Sequence, residues 1–442
     1  MCGLQADAQK QKADNGATAS RAPTFAEAFR FWLKLGFISF GGPAGQIAIM
    51  HSELVERRKW IDENRFLHAL NYCMLLPGPE ATQLATYIGW LLHRTWGGIV
   101  AGALFVLPSM FILWGLSYVY VKFGNVSWVA SAFYGLKPAV LAIVGAAVIR
   151  IGRKALKNEV MWTLAGLAFV AIYFFRVPFP VIVGAAALIG FVGGKVWPNK
   201  FLVVQHGDAA ANAPLEHTRP SWSRALQVAV VCVALWFAPL LLAGAFLGWN
   251  HTIPQQGLFF SKAAMVTFGG AYAVLPYVSQ QAVENYQWLS TTEMLDGLGL
   301  AETTPGPLIM VLQFVGFVGA WHHPGSLPPL TSATLGALMT TWTTFVPCFL
   351  WIFLGAPHIE QLHGHRGLTT ALSAVTAAVV GVILNLAIWF GWHVVVPQPG
   401  VFDPFALILS LLIFAGLVKW NWNVVPVVLG SATIGILYKS LF

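Results

Sequence analysis

Apolar stretches of 17 to 30 residues recur along almost the whole chain, and each is long enough to cross a hydrocarbon core about 30 Å thick. Segments such as 160–175 and 405–418 show no alternation of apolar and polar residues, which excludes a transmembrane β-barrel. Only 10% of the residues are charged, against about 25% in soluble domains, so a soluble enzyme is excluded as well. The expected fold class is an all-α polytopic membrane protein.

Inside those stretches lies a duplication. Phe40-Gly41-Gly42 recurs as Phe268-Gly269-Gly270, and Pro77-Gly78-Pro79 recurs as Pro305-Gly306-Pro307, both 228 positions on (268 − 40 and 305 − 77). The same offset pairs Lys34 with Lys262, Glu56 with Glu284, Trp60 with Trp288 and Leu67 with Leu295. Farther on the register drifts, with Leu107-Pro108 matching Val346-Pro347. An extra apolar span, 225–247, precedes the second copy, and one additional crossing inverts it. The expected organisation is a disordered cytoplasmic tail over 1–23 and a first repeat over 24–197. A polar cytoplasmic linker over 198–224 follows, and 225–442 holds the extra helix and the second, inverted repeat. Inverted repeats of this kind mark transporters, with the substrate site near mid-membrane between the repeats.

Charge supplies the topology. Of the 25 Lys and Arg, 21 precede residue 225. The loop His51–Arg65 carries Arg57, Arg58, Lys59 and Arg65, whereas its repeat mate Ser279–Glu293 carries no basic residue. Basic loops stay in the cytoplasm, so these two loops belong on opposite sides. With a basic N-terminal tail also inside, 25–50 and 66–92 would each enter and leave on one side, as re-entrant hairpins broken by Gly and Pro. The rival topology, with both broken segments spanning fully, exposes four basic residues outside.

The breaks point to function. Glycine leaves helical φ/ψ at little cost and proline removes a backbone donor, so helices stop at 40–45 and 76–79. In lipid the freed backbone groups are tolerated only where protein covers them or a cavity wets them. The helix starting near Pro79, and its copy after Pro307, present unpaired N–H groups and partial positive charge at their N-termini, an anion site. The candidate substrate-binding residues are Gly41, Gly42, Pro43, Pro77, Gly78 and Pro79 with their copies Gly269, Gly270, Pro305, Gly306 and Pro307. Lys34 and Lys262, each six residues before its glycine pair, either line the site or reach outward to the interface. The hydroxyls of Ser39 and Thr267 and the amides of Gln46 and Gln83 offer hydrogen bonds to an oxyanion. Glu80 and Glu302, carboxylates near membrane depth, are proton-coupling or helix-capping candidates. No catalytic residue, metal site or cofactor is expected: Cys2, Cys73, Cys232 and Cys348 are widely spaced, and no phosphate-binding GxxxxGK[ST] motif occurs.

FGGPAG at 40–45 and LPGPEATQ at 76–83, with their degenerate copies, resemble the chromate ion transporter family in its long-chain, two-domain form. The resemblance implies a multi-pass carrier of the bacterial inner membrane, N-terminus inside, that exports chromate and confers chromate resistance. Sulfate is the expected analogue. The second copy departs from the first, with Ala271 opposite Pro43, Val274 opposite Gln46 and Leu308 opposite Glu80. A sulfate or other oxyanion importer shares the same physics, and direction is not written in the residues. An intramembrane enzyme using His68, His93 or His322-His323 is the reading from another class, though no histidine–carboxylate spacing recurs with the duplication. The expected partners are chromate, with sulfate as a second candidate, and the lipid bilayer. Nucleic acid is not expected, and a homodimer is left open.

Overall fold

A computed structural model of the chain describes residues 23–40, 42–201, 221–358 and 366–441. Gly41, the tail and most of the linker lie outside the described residues. Among these residues there is no strand, and helices account for nearly all regular structure.

The first repeat opens with α1 (Phe25–Ile38), capped by Thr24, whose side chain and Glu27 form a reciprocal capping box. After the break come α2 (Gly42–His51) and a π-helical turn, Ser52–Arg57. Then follow α3 (Glu63–Leu75), capped by Asp62, and α4 (Glu80–Phe123). α4 is two limbs, because His93 and Arg94 leave helical geometry and fold residues 80–92 back against the rest. Gly89 and Gly97 bring the two limbs into backbone contact, which any Cβ would block.

Both broken segments return to the face they start from. At the start of α1, Phe25 stacks edge-on with His93 at 5.5 Å, and His93 Nε2 lies 3.0 Å from the Pro23 carbonyl. Past α2, Arg58 sits over the ring of Phe31 of α1 at 5.0 Å and over that of Trp60 in its own loop at 4.9 Å. Two re-entrant hairpins, α1–α2 and α3 with the first limb of α4, therefore share one face. The second repeat repeats this with α9 (Thr252–Val266), α10 (Ala271–Ser279), α11 (Thr291–Thr303) and α12 (Val311–His322). Thr252 Oγ1 donates to the His323 carbonyl at 3.0 Å, and His323 Nε2 lies 3.1 Å from the Gln287 carbonyl. The local copy is close: a π turn at Gln280–Asn285 matches the one at Ser52–Arg57, and Gln287 (φ 53°) matches Lys59 (φ 51°), all 228 residues apart.

The second limb of α4 leaves the His93 face and ends with Lys122 over the Trp321 ring at 5.3 Å, beside the mouth of the second pair of hairpins. The two pairs thus open on opposite faces, and the repeats are inverted. Connecting them are α5 (Ser127–Ala155), α6 (Glu159–Tyr173), α7 (Phe179–Val196) and the unpaired α8 (Trp222–Leu247) in the first part. α13 (Pro329–Gly355), α14 (Arg366–Val395), α15 (Pro404–Lys419) and α16 (Val424–Leu441) complete the second. Of the described helices, 7 are long and apolar enough to cross a membrane by themselves, namely α4, α5, α7, α8, α13, α14 and α16. α6 and α15 are shorter apolar helices.

This geometry makes a topological prediction. Glu56 and Glu284 are exposed at matching positions within the two π turns. In a cysteine-free background, Glu56→Cys and Glu284→Cys should react with an impermeant thiol reagent from opposite sides of the membrane. Reaction from one common side would contradict the inversion.

Candidate functional site

The breaks meet at the pseudo-two-fold axis and complete one another. The Gly78 N–H donates to the Thr267 carbonyl at 2.7 Å, and the Gly306 N–H donates to the Ser39 carbonyl at 2.8 Å. Each PGP turn of one repeat therefore caps the end of the first helix of the other, satisfying carbonyls that lipid would leave bare. Ser39 and Thr267 turn their hydroxyls onto their own helices, toward Leu35 and Ala263 carbonyls at 2.6 and 2.7 Å. Gln46 Nε2 donates to the Gly306 carbonyl at 2.5 Å, and Gln83 Nε2 to the Pro77 carbonyl at 2.8 Å. These four polar side chains are buried and hold the breaks rather than lining open space. Gly78 and Gly306 take φ values of 125° and 99°, which only glycine adopts freely.

Beside this knot lies a cavity of about 280 Å³. The first turns of α2 and α10 face each other across it, through Pro43 and Ala44 on one side and Gly270, Ala271 and Tyr272 on the other. A Cβ on Gly270 would lie 3.9 Å from Pro43 Cγ, so the two N-termini are near neighbours. Met74, Leu75 and Glu80 form one wall, Arg150 and Lys154 of α5 another, and Thr369, Ser373 and Thr376 of α14 the third. Arg150 and Tyr272 line the cavity together. The Tyr272 hydroxyl donates to Glu302 Oε1 at 2.5 Å, and Glu302 is itself 6% exposed. Lys154 and Glu80 line the same cavity.

Of the residues singled out from sequence, Pro43, Glu80, Gly269 and Gly270 line the cavity, and Glu302 touches it through Tyr272. Pro77, Gly78, Pro79, Pro305, Gly306 and Pro307 belong to the knot. Lys34 and Lys262 are exposed on the outer faces of α1 and α9, away from the cavity lining. The half-helices that point at the cavity are those after the glycine pairs, α2 and α10. The stretch after Pro307 is a buried 3-10 turn, Leu308–Met310. Arg150, Lys154, Tyr272 and the α14 hydroxyls were not singled out. Their signals exist, since Arg150 and Lys154 are four apart and Thr369, Ser373 and Thr376 share one face of an apolar helix.

Two membrane repeats, half-helices meeting between them and a cavity lined by two cations together form the architecture of a membrane transporter. The chain belongs to the chromate transporter family, whose profile matches residues 26–191 and 255–436, one block in each repeat. It is 30% identical to the "Chromate transport protein" of Cupriavidus metallidurans over 429 residues, 95% of each chain. The protein of the same description from Pseudomonas aeruginosa is 30% identical over 428 residues, 96% of this chain and 95% of that one. A "Probable chromate transport protein" of Synechococcus elongatus is 27% identical over 364 residues, covering 82% of this chain and 83% of its own. No solved structure matches the chain.

Proposed function

We propose that this protein carries chromate out of the bacterial cytoplasm across the inner membrane and so confers chromate resistance, with the cavity between α2 and α10 as its cytoplasm-facing binding site. The observation that carries the proposal is Arg150 and Lys154 converging with two half-helix N-termini on one small cavity. A guanidinium offers paired donors that match a tetrahedral oxyanion, and two cations with two helix ends balance a dianion. The names of the relatives select chromate among such dianions. The cavity opens on the face that bears Arg57, Arg58, Lys59 and Arg65, and basic residues favour the cytoplasm. The N-terminus then lies inside. Glu80 and Glu302 each neighbour a cavity cation, so anion binding competes with their negative charge, and they are the proposed coupling carboxylates. Ser39, Thr267, Gln46 and Gln83 act by fixing the breaks.

An inside-negative potential alone drives such a dianion outward, by about 2.3 kcal/mol per charge at 100 mV. In proteoliposomes, tracer chromate should leave faster when the compartment facing the basic loops is made negative, and sulfate should compete. Chromate flux that ignores the imposed voltage and pH gradient, or no chromate flux at all, would overturn the proposal.

A further inference from the structure

The duplication assigns each wall of the inner cavity a counterpart in the other half. Contacts fix the register between α5 and α14. Gly435 of α16 packs on the Ser131 carbonyl and on Gly135, while Gly190 of α7 packs on the Thr370 carbonyl and on Ala374. Both pairs give one offset, 239 (370 − 131 and 374 − 135). In that register Thr376 of the cavity wall corresponds to Lys137, and Leu372 corresponds to Phe133. In the 228 register, Met74 corresponds to Glu302.

Glu302 stays beside the inner cavity through Tyr272, whereas Phe133 and Lys137 lie on the far side of the breaks, where the repeats are packed shut. Gly299 of α11 sits against Val140 and Leu136 of α5. Phe133 meets the Tyr120 ring edge-on at 4.9 Å, and the Tyr120 hydroxyl donates to Asp296 Oδ2 at 3.0 Å. Asp296 is 3% exposed, and its Oδ1 has no hydrogen-bond partner among the described residues. Lys137, half-buried, stands between Leu136 and Val140 on the stretch of α5 that Gly299 packs against. On α11, Gly299 comes three residues after Asp296, and Glu293 lies three residues before it. An under-bonded carboxylate at this depth is costly, and neutralising a cation on the facing helix accounts for its presence.

We infer that this packed half is the closed form of a second, outward-facing oxyanion vestibule, in which Lys137 is the substrate's cation and Asp296 holds its place while the vestibule is shut. The inference rests on the transport function proposed above. When the repeats exchange conformations, the inner cavity closes, α11 parts from α5, and a tetrahedral dianion replaces Asp296 beside Lys137. The outer vestibule matches Arg150 with Trp389 and Lys154 with His393, so its positive field is weaker and its affinity for the anion lower than inside.

Two measurements test this. In a cysteine-free background carrying Phe133→Cys, an impermeant thiol reagent outside should react slowly. Adding Asp296→Asn removes the carboxylate that faces the Lys137 stretch of α5 in the closed form and should raise the rate at least about tenfold. Adding Lys137→Gln to that variant removes the cation on that stretch and should return the rate toward the starting value. Failure of either change overturns the inference, and the assay needs no substrate, so it stands even if the wild-type protein moves no chromate. In chromate exchange, Lys137→Gln should weaken affinity for anion supplied outside at least about tenfold and change inside affinity less than about twofold. Equal effects on both sides, or none, would assign Lys137 to packing.

Discussion

Replacing Arg150 by Gln is expected to lower the apparent affinity for chromate by about a hundredfold, the largest loss of any single side chain in the protein. A unit charge about 6 Å from a dianion at an effective dielectric near 20 contributes roughly 5.5 kcal/mol. Water at the cavity mouth removes more than half, because Arg150 is exposed there, which leaves about the 2.7 kcal/mol of a hundredfold change. Arg150→Lys keeps the charge and loses the paired donors, so it should recover only part of the affinity. Lys154→Gln should cost less, since one point charge with Glu80 nearby is the weaker partner. Tracer-chromate exchange at matched protein level measures all three. Lys34→Gln and Lys262→Gln are the informative controls, because both side chains lie exposed outside the cavity. Losses there equal to that of Arg150→Gln would move the selecting field from α5 to the lysines.

The second large effect concerns the glycines, which separate into two kinds. Gly306 has φ 99°, and a Cβ there would lie 2.6 Å from Ser109 Cβ. Gly306→Ala is therefore expected to keep the protein from accumulating in the membrane. Left-handed backbone costs about 1–2 kcal/mol, overpacking about 1–3 kcal/mol, and the bond to Ser39 is put at risk besides. Ser109→Gly added to it should restore part of the protein level. Gly270 has φ 90° but open space around it, so Gly270→Ala pays the backbone term alone. That variant should insert normally and transport poorly, its methyl group entering the gap before Pro43. Membrane abundance by in-gel fluorescence, read beside chromate flux, separates the two behaviours. Equal abundance for Gly306→Ala and wild type would mean that the knot does not stabilise the fold.

The hairpins were legible because glycine and proline clustered inside an apolar segment stop a helix at membrane depth, and because one offset joined both motifs. Their return to a single face was legible from four basic residues in one loop and none in its mate. The fold-back at His93 and Arg94 was not, since neither residue carries a breaker's signature and the turn is set by Gly89 and Gly97 packing together. Nor was the crossing of the knot: a sequence offset shows that Gly78 resembles Gly306, not that each bonds the other repeat. Arg150 and Lys154 end a helix, where charge is ordinary, and only the packing of α14 beside them turns that helix end into a cavity wall. Ser39, Thr267, Gln46 and Gln83 carry the right chemistry for an oxyanion, but the nearby unpaired carbonyls and N–H groups of the breaks take them first.

The bonds from Gly78 to Thr267 and from Gly306 to Ser39 also bear on ancestry. Neither half can satisfy its own broken backbone, so a chain of half this length would be incomplete alone and would need a second copy inserted upside down. Such a pair requires a sequence with no orientation preference, able to enter the membrane either way round. Fusion through α8 removes that requirement, since one extra crossing turns the second half over and fixes the ratio at one to one. Each half is then free to change separately. The basic loop on one side and the bare loop on the other record that freedom, as does the proline-for-alanine difference between Pro43 and Ala271.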